Sequence, residues 1–166
     1  FIELYEMGKP NLPERWNELS MEQISFGQGI AVVPLSFASA FAAVVNGGYL
    51  IEPTLYLREN NYSTNTRLIS TDVSKSMRYV MREVVRTGSG KKADIEGYNV
   101  IGKTGTADKP CPGGYCGRVT SFVGAFPGNN PEYVILVSLD NPKEKKGRGS
   151  SACLLYTSDA ADDWSS

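Results

Sequence analysis

Apolar and polar positions change rhythm several times along the chain. Residues 1–25 are polar and broken by Pro10 and Pro13, with Trp16, Leu19, Met21 and Ile24 as apolar anchors, which predicts a docked loop with a short helical turn. After the glycine-rich turn Phe26-Gly27-Gln28-Gly29, Pro34 stands where a first helical turn accepts proline, and an alanine-rich run to about Asn46 stops at Gly47-Gly48. This predicted helix is apolar nearly all round and should be buried. Residues 49–57 alternate loosely and read as extended, and 58–66, rich in Asn, Thr and Ser, read as a surface loop. Ser70 or Thr71 can cap a second helix, in which Val73, Met77, Val80, Met81, Val84 and Val85 recur at helical spacing and Lys75, Arg78, Arg82 and Glu83 take the other side, before Gly88 ends it.

Three strand-like runs follow, at 98–107, 118–126 and 133–139. Pro127-Gly128-Asn129-Asn130-Pro131 joins the last two as a tight turn, which makes them antiparallel neighbours. The predicted class is α/β with α+β layering: helices, then an antiparallel sheet left open on one side. No internal repeat or low-complexity tract interrupts this order.

Composition narrows the chemistry. With 166 residues, 41% hydrophobic and 21% charged, the chain has enough residues for one modest core. A formal charge of -1 without long runs of like charge gives no footprint for nucleic acid. No stretch approaches the roughly 20 apolar residues of a membrane span. The start, Phe1-Ile2-Glu3-Leu4, is neither an initiating Met nor a signal sequence, so the reading frame is expected to begin inside a longer protein. The absence of histidine removes Ser-His-Asp and Cys-His catalysis and every His-ligated metal from what the segment can supply. Lysine is left for base chemistry near neutral pH.

Gly102-Lys103-Thr104-Gly105-Thr106-Ala107 lies within the first strand-like run. Two glycines around a lysine and a hydroxyl are odd in a strand interior unless something must approach the backbone closely. Beside a serine nucleophile such a strand offers an ammonium, hydroxyls for a carboxylate, and a backbone N–H for a developing oxyanion. The motif also keeps company. Phe26-Gly27-Gln28-Gly29-Ile30 with Pro34-Leu35, Asn46-Gly47-Gly48, Val84-Val85 with Gly88-Ser89-Gly90-Lys91-Lys92-Ala93, the Lys-Thr-Gly strand, and Ser121-Phe122-Val123-Gly124-Ala125-Phe126-Pro127 resemble, in order and spacing, the C-terminal half of class B penicillin-binding proteins. The resemblance covers about residues 16–143 and looks closest to the division-specific peptidoglycan D,D-transpeptidase of Gram-negative bacteria, with an elongation-specific relative as the alternative.

The resemblance implies a partial serine β-lactamase/transpeptidase-like fold, truncated at both ends. It also implies an acyl-serine mechanism: the serine of a Ser-x-x-Lys motif attacks a stem-peptide D-Ala carbonyl, and β-lactams acylate the same serine. Lys103 would then assist proton transfer, and Thr104 and Thr106 would bind the terminal carboxylate. Gly105 would let substrate lie against the strand, and the Thr106 backbone N–H would form half of an oxyanion hole. No nucleophile, metal or cofactor is expected in this chain. The implied partners are peptidoglycan stem peptides, β-lactams and, for the parent, other division proteins, at the periplasmic face of the inner membrane, which the parent would reach through an N-terminal anchor missing here. A serine β-lactamase or a β-lactam sensor of the same fold is the alternative, and a non-enzymatic interaction domain fits the isolated segment.

Three decoys are set aside. Ser89-Gly90-Lys91-Lys92 fits Ser-x-x-Lys but follows a helix terminus, whereas the reaction needs serine and lysine one turn apart on a rigid helix. Ser63-Thr64-Asn65 fits Ser-x-Asn but lies in a polar loop. Gly97 to Thr104 satisfies the P-loop pattern G-x-x-x-x-G-K-[ST], yet Tyr98, Val100 and Ile101 favour strand, and Pro110 prevents a long helix after Thr104.

The loop Cys111-Pro112-Gly113-Gly114-Tyr115-Cys116 is expected to overhang the site, with Tyr115 as a candidate wall; a disulfide between its cysteines and a pair of free thiols both remain open. From Cys153 the chain resembles the translation of a sequencing-library adapter. Residues 1–152 are therefore assigned to the transpeptidase domain and 153–166 are excluded as non-native.

Overall fold

The computed structural model describes residues 9–13, 16–25, 27–56 and 66–142. The expected surface loop at 58–66, apart from Thr66, and the excluded tail at 153–166 lie outside the described residues. Three helices precede three strands: α1 (Glu18–Ser25), α2 (Pro34–Val45) and α3 (Thr71–Arg86), then β1 (Ile101–Cys111), β2 (Gly114–Phe126) and β3 (Tyr133–Asp140), with a 3₁₀ turn at Lys91–Ala93 before β1. The strands form one antiparallel sheet in the order β1-β2-β3.

Helix α1 buries none of its residues, and Trp16, Leu19 and Met21 are exposed rather than anchored. Pro34 opens α2 as expected. At its other end Asn46 Oδ1 accepts from the backbone N–H of Gly48 and Tyr49 at 3.1 and 2.9 Å, and Gly47 and Gly48 adopt φ of 100 and 102°. A side chain at Gly48 would meet the Ile69 carbonyl oxygen at 2.0 Å, so the turn needs glycine twice over. The helix is not buried all round: Phe41, Ala43 and Val45 face the core while Phe37 is exposed.

Ser70 caps α3, its side chain accepting from the Val73 N–H at 3.2 Å. The rotation of this helix differs from the expected one. Ser74, Met81 and Val85 are buried, whereas Val73, Met77 and Val80 are exposed. Arg78 and Arg82, expected on the outer side, reach inward because each guanidinium finds carbonyl oxygens to satisfy. Arg78 donates to the Val45 carbonyl at 2.7 Å and to Ser74 Oγ at 3.3 Å, and Arg82 donates to the Val100 carbonyl at 2.9 Å. Ser74 Oγ also accepts from the Gly47 N–H at 3.0 Å, which ties the end of α2 to α3.

The sheet has a core on each face. On one, Ile101, Val123 and Ala125 pack with Phe41, Val45 and Met81; on the other, Phe122 packs with Val85, Ala93 and Val100. Helix α2 contacts β2 and β3 and α3 lies against β1, with Met81 joining the first core and Val85 the second. Strands β1 and β2 run further than expected. The predicted loop 111–116 is the tip of a long hairpin, turning at Pro112-Gly113, with a bulge between Lys109 and Pro110 that absorbs the proline.

Gly102 stands opposite Gly124, and Phe122 opposite Thr104 on the same face. A Cβ at Gly102 would sit 2.6 Å from both Phe122 Cζ and the Val123 carbonyl oxygen, and one at Gly124 would sit 2.7 Å from Phe122 Cε1. The Phe122 ring thus lies across both glycines. Gly102→Ala is expected to destabilise the fold by about 1–3 kcal/mol through overpacking. A urea denaturation midpoint unchanged from the parent's would contradict this packing.

Candidate active site

Strand β1 changes character along its length. Ile101 and Gly102 are buried; Lys103, Gly105 and Thr106 are exposed and Thr104 is half-buried. The first two residues therefore fix the strand in the core, and the next four present the motif. Strand alternation puts Lys103 and Gly105 on one face, opposite Val123 and Ser121, and Thr104 and Thr106 on the other, opposite Phe122 and Thr120. The two threonines come together; the lysine does not share their face. It returns to the strand, donating from Nζ to the backbone carbonyl oxygen of Thr104 at 2.7 Å.

The two glycines have separate reasons. Gly102 makes room for Phe122, within the chain itself. Gly105 is exposed, and a Cβ there would meet Ser121 Oγ at 2.7 Å. The P-loop pattern ends inside a strand: residues 101–111 are extended, and no helix opens at Thr104 to aim its amides at a phosphate.

Ser89 adjoins the candidate site, a place that pattern reading missed, having weighed it only as a nucleophile. The chain doubles back at the end of α3, with the N–H groups of Thr87 and Gly90 donating to Glu83 and Val84 carbonyls at 2.9 and 3.0 Å. Gly88 and Gly90 lie too close to Val84 for side chains: a Cβ would stand 2.9 and 3.2 Å from its carbonyl oxygen. This fold-back presents Ser89 to β1, where its Oγ lies 2.8 Å from Thr104 Oγ1. Among the described residues no lysine amine hydrogen-bonds Ser89, so it lacks the base that activates a serine. It adds a third hydroxyl to the pair on β1. The bracketing glycines were the available signal. Tyr115 sits at the distal hairpin tip and is 70% exposed, too far along the strand to wall the motif.

Residues 5–157 match the penicillin binding protein transpeptidase domain. The chain belongs to that family. Stage V sporulation protein D of Bacillus subtilis (strain 168) is 36% identical over 143 residues, covering 78% of this chain and 22% of the relative. The probable peptidoglycan D,D-transpeptidase FtsI of Caulobacter vibrioides is 35% identical over 154 residues, covering 86% of this chain and 26% of the relative. Among solved structures, the apo TP domain of penicillin-binding protein 3 from Burkholderia pseudomallei superposes with a TM-score of 0.79 at 28% identity, covering 94% of this chain and 50% of that one. The chain therefore has part of the fold of that domain family, and it spans about a quarter of the length of these two curated relatives.

Within the chain the motif strand is held from below by Arg82, which donates to Asp94 Oδ1 at 2.7 Å and to the Val100 carbonyl just before β1. The Asn99 carbonyl accepts from the Gly128 N–H at 2.8 Å, fastening the same point to the β2–β3 connection. Arg82→Leu keeps much of the bulk but strips the buried Val100 carbonyl of this donor, and is expected to cost about 1–3 kcal/mol. Amide hydrogen exchange should accelerate first at residues 100–104. Uniform acceleration across the sheet would argue against a local clamp.

Proposed function

We propose that this chain is the C-terminal part of the catalytic domain of a peptidoglycan D,D-transpeptidase, which cross-links stem peptides through an acyl-serine intermediate and binds penicillin. The observation that carries the reading is the family match combined with an exposed lysine and two hydroxyls on an edge strand. The attacking serine belongs to a part of the domain that this chain does not contain, so the segment alone is inactive. Two features support a missing companion. The exposed stripe Val73, Met77 and Val80 on α3 is suited to packing against further structure. Among the described residues the Ser-x-x-Lys pattern occurs only at Ser89 to Lys92, past the end of α3.

Lys103 carries an ammonium at the edge of β1 and would ease proton transfer to and from the attacking serine. Thr104 and Thr106, sharing one face, would hold the carboxylate that ends a stem peptide and that β-lactams imitate, with Ser89 orienting the Thr104 hydroxyl. Because β1 has a strand partner on one side only among the described residues, alternate N–H groups point away from the sheet. The Thr106 N–H would be one of two donors to the oxyanion of the tetrahedral intermediate, where each donor contributes about 3–4 kcal/mol. No metal or organic cofactor enters this scheme. We place the parent at the periplasmic face of the inner membrane, acting in septal wall synthesis with other division proteins.

The test is acylation of the complete protein by a fluorescent penicillin. Lys103→Ala should lower the second-order acylation constant about 100-fold or more. Thr106→Val should weaken acylation by carboxylate-bearing β-lactams while leaving the fold intact by circular dichroism. Labelling that proceeds equally well without Lys103 would refute the assignment. Rapid release of the acyl group would transfer the protein to the serine β-lactamases.

A further inference from the structure

The hairpin tip beyond the motif holds two cysteines that the proposed reaction does not use. In an unbroken antiparallel ladder Cys111, which faces Gly114, would have Cys116 as a diagonal neighbour at about 7–8 Å between Cα atoms, beyond disulfide reach. The bulge alters this. Lys109 pairs with Gly117 and Pro110 with Tyr115, leaving Cys116 as the extra, unpaired residue that leans toward the opposite strand. Its Sγ donates to the Lys109 carbonyl oxygen on that strand at 4.0 Å. Both are free thiols, Cys116 exposed and Cys111 half-buried.

We propose that Cys111 and Cys116 form a redox-active dithiol that closes into a disulfide across the bulge by exchange with a small disulfide oxidant. Their surroundings assign the order of events. Cys116 is open to solvent, whereas Cys111 is half-buried. The neighbouring Cys116 thiol holds Cys111 above the ordinary thiol range, and burial adds to the effect. Cys116 is thus the first attacker. Its thiolate, having given its proton to solvent, attacks one sulfur of the oxidant, breaking that S–S bond and releasing one thiolate. Cys111 then loses its proton and attacks the Cys116 sulfur of the mixed disulfide, releasing the second thiolate. The two protons end on the two departing thiols, and the oxidant gains the two electrons that the protein loses.

Closure would staple the bulge and fix the upper register of β1 against β2. It asks nothing of the catalytic assignment and stands if that assignment falls. The test equilibrates the chain with reduced and oxidised glutathione, quenches it in acid and alkylates it. Trypsin then releases residues 104–118 as one peptide holding both cysteines, because Pro110 protects Lys109 from cleavage. The expected product is a peptide two hydrogens lighter and free of alkyl groups, with an equilibrium constant for closure about ten-fold or more above that in urea. Cys111→Ser should stop the reaction at glutathionylated Cys116. Alkylation of both thiols throughout, mixed disulfides without closure in the parent, or an equal constant with and without urea would overturn the proposal.

Discussion

The structure depends on the register between β1 and β2, and that register is set where one aromatic ring must lie across two glycines. Phe122 covers Gly102 and Gly124, which face each other on adjacent strands. A slip of one residue would place a side chain under the ring and would also turn Ile101 and Val123 out of the first core. The same register puts Lys103 opposite Val123 and Thr106 opposite Thr120, so the motif has its exposure because its neighbours have their burial. Packing of apolar groups at one end of the strand thereby positions polar groups at the other.

Helix ends and strand order were legible in the sequence because local chemistry decides them. Pro34, Gly47-Gly48 and Ser70 act through backbone geometry or a single hydrogen bond, and the meander followed from two short connections. The rotation of α3 was not legible. A stripe of valines and methionines looks inward by periodicity, but Arg78 and Arg82 compete for the inner face by satisfying carbonyl oxygens of Val45 and Val100, groups that become available only once the fold exists. The hairpin was read too short for a related reason. Pro110, Pro112 and glycines speak for a loop, and only a bulge, which depends on the partner strand, lets the first proline remain in the ladder.

The site divides in the same way. The Lys-Thr-Gly strand could be found as a pattern, and rejecting the overlapping P-loop pattern needed only the extended backbone around it. That lysine and threonines face opposite sides follows from simple alternation, but the return of the ammonium to the strand backbone depends on Lys103 bonding the Thr104 carbonyl. Ser89 is separated from Thr104 by an entire turn and a loop, and no short motif joins them. The contact exists because two glycines allow the chain to retreat over the last turn of α3.

Ser74 bears on how the molecule can vary. Its fully buried hydroxyl receives the Gly47 amide and the Arg78 guanidinium together, while that same arginine reaches the last carbonyl of α2. An occupant of position 74 must be small, must accept two donors, and must tolerate a helical backbone. Alanine would leave the Gly47 amide without this acceptor and Arg78 with the Val45 carbonyl alone of the two, and valine would add volume without an acceptor. Few residues meet those terms, so the turn that ends α2 constrains a position of α3 nearly thirty residues away.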